Sequence, residues 1–268
     1  MYKLISVFIF LTHISFGQQK DSVVVIKDTV FSLKTNVELV RSDNLGNLYL
    51  IQNEKIMKLS PQGDTLFVSS NKLSGQITEM DVSFALKPLL FYQDQNMVSI
   101  LDNTLSPQGE NILLDDFSIF QPLSVCNSFS GNTIWIYNQD NFELIKLNSE
   151  NGIEFRSGNL IQLTGLDMNI TGMIEYKNKL YINNPEYGIM VFDIFGTYLK
   201  LIPVKHADHF QPIDELISYK KGNSYYLYSG KTFTTIKYSN IETKGWGQLN
   251  PPYFYHYSGE FLTVFKFN

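Results

Sequence analysis

Apolar and polar residues alternate in short runs along almost the whole chain, and the runs return at a regular distance. The clearest opens at Leu48 (LYLI). Similar runs open at Leu89 (LLFY), Ile134 (IWIY), Leu180 (LYIN), Tyr225 (YYLY) and Leu262 (LTVF), at steps of 41, 45, 46, 45 and 37 residues. Each run is short, aromatic or β-branched, and bounded by Gly, Asn, Asp or Pro, which predicts a strand. No later stretch sustains the apolar period of about 3.6 residues that a helix needs. A fixed step of this length built from strands predicts a stacked or radial repeat.

The units share one grammar. A strand precedes each marker run (37–41, 78–82, 122–127, 171–176, 213–218, 253–257), and another follows it (56–59, 97–101, 144–147, 189–192, 235–238). A polar turn comes next, often with Gly (61–64, 107–110, 150–152, 193–196), and most units add a fourth strand, as at 65–68 and 153–155. Four antiparallel strands per unit make a propeller blade. The predicted fold is therefore all-β, a six-bladed β-propeller of four-stranded antiparallel blades in one domain over 18–268. An open pair of β-sandwiches explains the repeats less well. The sixth unit holds only 253–257 and 260–267 before the chain ends, while 22–26 and 29–33 read as strands without a unit. These N-terminal strands are predicted to complete the last blade, which removes free sheet edges. Segments 70–77, 157–169 and 239–252 are read as joining loops.

One phrase carries a resemblance. Asp43-Asn44-Leu45-Gly46-Asn47-Leu48-Tyr49 resembles the D-x-x-G-N-L-Y phrase of six-bladed propellers of the NHL-like and related superfamilies. Residues 132–135 (NTIW) and 178–181 (NKLY) echo it without the leading Asp. The resemblance implies an architecture and no activity, since propellers host enzymes, receptors and scaffolds alike.

The N-terminus changes the picture of where the protein works. Lys3, the apolar run 4–11, and Ser15-Phe16-Gly17 form an export signal with a cleavage site after Gly17. The apolar stretch is too short to span a bilayer. A periplasmic or secreted protein is expected, not an integral membrane one. Net charge is −5, without a basic run, which disfavours nucleic acid and anionic membrane surfaces as partners. Cys126 is the sole cysteine. It lies in a predicted strand with no His or basic residue nearby in sequence, and is expected to be a buried, inert thiol.

Candidate chemistry is sparse. Ten residues before the six markers stand Glu38, Glu79, Ser124, Ile170, Glu215 and Pro252. Three carboxylates at one offset on channel-lining strands would suit a cationic ligand or a hard cation such as calcium. No other cofactor is implied. His206-Ala207-Asp208-His209 is a weak transition-metal pattern, read as a polar loop between units four and five. His256 sits in the predicted last inner strand and could face the channel. Trp246, Tyr253, Tyr255 and Tyr257 crowd the last unit, and strict alternation buries only one face, so some of these rings are expected at the surface for a protein or sugar partner. The sugar-lactone hydrolases of this architecture arrange Glu, Asn and Asp around a divalent metal, and no such set maps onto this chain. Nucleophile-elbow, phosphate-loop and zinc-protease motifs are lacking. The expectation is an exported, non-catalytic protein-binding or scaffold propeller of the bacterial cell envelope with an envelope protein as partner. Alternatives are a metal-dependent lactonase-like hydrolase at the channel mouth and a carbohydrate-binding module.

Overall fold

The structure is a computed structural model that describes residues 24–25, 28–70, 75–129, 132–150, 152–239 and 244–266. The expected export signal lies outside these residues. The described chain opens with β1 (Val24–Val25) and β2 (Asp28–Lys34). Blade one follows as β3 (Leu39–Ser42), β4 (Leu48–Gln52), β5 (Lys55–Leu59) and β6 (Thr65–Ser70). Blade two is β7 (Glu79–Asp81), β8 (Leu89–Tyr92), β9 (Met97–Ile100) and β10 (Ile112–Leu113). Blade three is β11 (Pro122–Asn127), β12 (Thr133–Asn138), β13 (Glu143–Asn148) and β14 (Gly152–Arg156). Blade four is β15 (Gly172–Tyr176), β16 (Lys179–Asn184), β17 (Gly188–Asp193) and β18 (Tyr198–Ile202). Blade five is β19 (His209–Ile213), β20 (Leu216–Lys221), β21 (Ser224–Ser229) and β22 (Thr234–Ser239). Blade six is β23 (Trp246–Asn250), β24 (Tyr253–Tyr257) and β25 (Phe261–Lys266), with β2 as its outer strand. The protein is a six-bladed β-propeller.

Turn chemistry sets the hairpins. Asp43 Oδ1 accepts the N–H groups of Leu45 and Asn47 at 2.9 Å each, and its Oδ2 accepts Asn47 Nδ2 and Tyr49 OH at 2.9 and 3.0 Å. That accounts for the leading Asp of the D-x-x-G-N-L-Y phrase, and Gly46 takes the positive φ that the turn requires. Between third and outer strands, the side-chain oxygens of Ser60, Asp102, Asn148, Asp193 and Ser229 each accept a backbone N–H from the turn that follows.

Blades pack face to face through six clusters of buried apolar side chains, one at each junction. Tyr49, Ile51 and Ile56 of blade one meet Met80, Leu90 and Tyr92 of blade two, for example. Each fully buried large side chain contributes roughly 1.5–3 kcal/mol. Lys58 and Lys146 are buried among them because each spans a junction. Each ammonium lies 5.1 Å from an aromatic ring of its own blade, Tyr49 or Trp135. Each donates to a carbonyl in the next blade, Asn103 O at 3.0 Å or Ile194 O at 3.2 Å.

Two expectations about strand assignment need correction. The N-terminus supplies one strand to blade six, not two: β2 pairs antiparallel with β25. β1 instead crosses to blade five and pairs in parallel with β22, Val24 opposite Tyr238. The marker runs are second strands in blades one to four but third strands in blades five and six. The inner strands of those last blades are therefore β19 and β23, one strand earlier than the pattern predicts. Both are polar or Pro-containing, so neither shows clean alternation.

Candidate functional site

The inner strands surround a central cavity of about 680 Å³. They run parallel and in step, as hydrogen bonds between neighbours show. Glu79 Oε2 accepts Val125 N at 3.1 Å, and two residues on Asp81 Oδ2 accepts Asn127 N at 2.7 Å. Across the last junction Ser42 N donates to Gln248 Oε1 at 3.0 Å while Gln248 Nε2 donates to Ser42 O at 3.2 Å. All six inner strands therefore leave the channel at the same mouth.

Among the ionisable groups of the channel wall, Arg41, Glu79, Asp81 and His209 come from three blades and have shifted titrations that are linked through Arg41. Burial raises the Glu79 pKa to about 7, against the opposing effects of the Val125 N–H, the Arg41 charge and the Ser124 hydroxyl. Burial also raises that of Asp81, again opposed by hydrogen bonds and Arg41. Burial lowers that of Arg41, with the charges of Glu79 and Asp81 acting the other way; guanidinium still remains cationic at neutral pH. His209 is pushed down to about 4, first by its enclosed position and then by Arg41 and Lys220, with Asp208 opposing. His209 lines the channel and is exposed to solvent there, and it is neutral at pH 7. Arg41 Nη1 donates to Val40 O at 2.9 Å.

The mouth reached by the inner strands carries a second feature. In each antiparallel blade the turns after the first and third strands share that face. Five of these turns hold a large apolar side chain in solvent: Leu45, Leu86, Phe129, Phe195 and Phe233. Leu45 is 66%, Phe195 73% and Phe233 77% exposed. Phe129 also lines the channel and packs on Phe84 at 5.3 Å between ring centroids. The result is an apolar crown around one mouth.

The residues singled out in the sequence are dispersed. Glu79 lines the channel and its carboxylate is spent on Ser124 and Val125. Glu38 and Glu215 are exposed and lie off the channel wall; Glu38 accepts Asn53 N at 3.2 Å. The equal offset did not survive because the inner strand of blade five begins earlier than counted and the loop lengths differ. Among the described residues, no group of three or more His, Cys, Asp or Glu is placed to hold a metal ion. His256 is buried, stacked on Phe254 and bonded through Nε2 to Lys244 O at 2.7 Å. Tyr255 and Tyr257 are buried rather than at the surface. Tyr255 OH donates to Gly46 O at 2.9 Å and Tyr257 OH accepts Val37 N at 3.0 Å. Both faces of blade six are covered, by blade one and blade five, so alternation leaves no free face. Tyr253 is half-buried, and Trp246 lines the channel. Sequence reasoning missed Arg41 and placed His209 in a loop. The crown was legible only as scattered apolar residues in turns.

Chains of known structure share the ring. A streptogramin B lyase aligns with a TM-score of 0.60 over 89% of this chain and 98% of its own, at 10% identity. The Cps50 (Swd1) β-propeller domain of Myceliophteria thermophila aligns with a TM-score of 0.60 over 90% and 99%, at 9% identity. The Pan2 WD40 domain of Neurospora crassa aligns with a TM-score of 0.57 over 89% and 94%, at 7% identity. The likeness is one of fold, spread over several kinds of propeller and not particular to the NHL-like type. No protein-family model and no curated protein matches the chain.

Proposed function

We propose that the protein is an exported, non-catalytic propeller of the bacterial cell envelope that binds a protein partner on the crowned face. The observation that carries this reading is the crown itself. Large apolar side chains held in solvent by rigid turns, converging on one face, mark an interaction surface. A six-bladed ring fixes those turns before the partner arrives, which limits the ordering cost of association. The location in the envelope rests on the N-terminal sequence.

Capture from envelope extract tests the proposal. Wild-type protein is expected to retain a defined partner, and Phe195→Asp with Phe233→Asp to weaken retention by more than about tenfold, as loss of two interface anchors does. Both positions are exposed turns, so the ring should fold unchanged. Equal capture by the double variant, or no partner at all, would sink the reading.

A further inference from the structure

The central cavity of about 680 Å³ has the volume of a small-molecule site. The charge on its wall does not balance. Lys177 pairs with Asp214, and Asp208 lies 3.8 Å from Lys220. Asp43 is occupied by its own turn, and His209 carries no charge at pH 7. That leaves Arg41 against two carboxylates, Glu79 and Asp81, whose charges both act on it. One guanidinium offsets one carboxylate, and the other is left over. Glu79, with its pKa raised to about 7, meets the excess by holding on to a proton.

The same wall holds oxygens with nothing to accept. Ser42 of blade one, Asn183 of blade four and Gln211 of blade five line the cavity. Ser42 Oγ, Asn183 Oδ1 and Gln211 Oε1 are buried without a hydrogen-bond partner among the described residues. Ser42 is only 5% and Asn183 1% exposed. Asn183 Nδ2 is committed to Thr171 Oγ1 and Ala207 O, at 2.7 and 2.8 Å, while the oxygen of the same amide is unmet. An amide oxygen can only accept, and a hydroxyl can do so. Leaving such groups buried and unmet costs stability, and a ligand rich in donors removes that cost.

We infer that the channel binds a small organic cation through an ammonium group, with Glu79 and Asp81 as counter-charges and the unmet oxygens as acceptors for its N–H groups. An ammonium suits both features at once, since it brings positive charge and carries donors only. The hydrogen bonds of Glu79 and Asp81 go to protein donors, so these two act on the ligand through charge. Trp246 of blade six adds a ring to the wall for the apolar body of the ligand or for its charge. An organic anion would bring acceptors to acceptors and a third negative charge to two. A bare metal ion lacks its ligands, since no group of three or more His, Cys, Asp or Glu is placed for one among the described residues. The inference does not depend on the crown.

Tryptophan fluorescence and calorimetry on the full chain at pH 7 test it, with benzylamine and hexylamine as probes. Trp135, the other tryptophan, is buried between blades three and four, so a channel ligand should report through Trp246. Both amines are expected to change the emission saturably. Benzoate, an anion, and benzyltrimethylammonium, a cation without an N–H, are expected to bind at least about tenfold more weakly than benzylamine. Glu79→Gln should raise the benzylamine dissociation constant by more than about tenfold through loss of a counter-charge. Gln211→Leu removes an unmet oxygen and leaves the Glu79 bonds in place, and should raise it severalfold even if Glu79→Gln fails to fold. Trp246→Phe should abolish the emission change while heat of binding remains. Phe195→Asp with Phe233→Asp should bind benzylamine like wild type, which separates the channel from the crown. Absence of saturable binding of either amine up to about 10 mM overturns the inference. Benzoate or benzyltrimethylammonium binding as tightly as benzylamine overturns it, as does an unchanged dissociation constant in folded Glu79→Gln or Gln211→Leu. An emission change that persists in Trp246→Phe places the amine elsewhere and overturns it too.

Discussion

The Glu79 carboxylate of blade two accepts the backbone N–H of Val125 in blade three at 3.1 Å. The bond ties neighbouring inner strands together and places an ionisable group in a wall that opposes its charge.

That placement sets a pH dependence. With its pKa raised to about 7, folded Glu79 keeps a proton that the unfolded chain has already lost, so its contribution to stability falls as pH rises from about 4.5 to about 7. The size is at most about 3 kcal/mol. His209, lowered to about 4, works the other way. The unfolded chain binds its proton first, so stability is lost as pH falls from about 6.5 to about 4. The two slopes oppose one another in one window. Relative to wild type, Glu79→Gln should make stability rise more steeply with pH between 4.5 and 7, and His209→Gln should make it fall. Urea unfolding at several pH values reads both, and parallel curves for all three proteins would contradict the assignment.

Asp43 holds its turn with 4 accepted hydrogen bonds from buried or half-buried donors. Asp43→Ala should cost roughly 2–4 kcal/mol, because the donors are left without a partner, and Asp43→Asn less. The urea midpoint should fall with an unchanged slope. A cost below that of the exposed turn variant Asp102→Ala would contradict this role.

Cys126 is fully buried, and burial together with the Asp81 and Glu175 charges drives its thiol well above the usual range. Native protein should leave it unreacted with a thiol reagent, and denatured protein should react once per chain. Rapid labelling of the folded protein would contradict the buried placement.

The repeat of aromatic strands made the ring and its blade count readable, because blade-facing positions must be apolar to fill the six junctions. What escaped was the inner strand of blades five and six. β19 (HFQPI) and β23 (WGQLN) line the channel, so their residues answer to the cavity and not to alternation. The aromatic run of β21 (SYYLYS) then drew the marker one strand too far. By that pattern His209 reads as a loop residue, whereas it belongs to β19. Arg41 sits in an otherwise ordinary strand, and it meets Glu79 and Asp81 only because the inner strands of blades one and two stand side by side along the channel, which alternation within either strand does not reveal. The crown escaped likewise, since Leu45 and Phe233 are far apart in sequence and share a face only through the common direction of the blades.

The crown is the surface proposed to meet the partner, and photo-crosslinking in living cells tests it most directly. A photoreactive phenylalanine would be placed at Phe195 and Phe233 on the crowned face, and at Phe120 and Leu163 on the opposite face, all four being exposed sites. One discrete adduct of the same partner is expected from both crown positions and none from the other two. Adducts of equal yield from both faces, or from the opposite face alone, would contradict it.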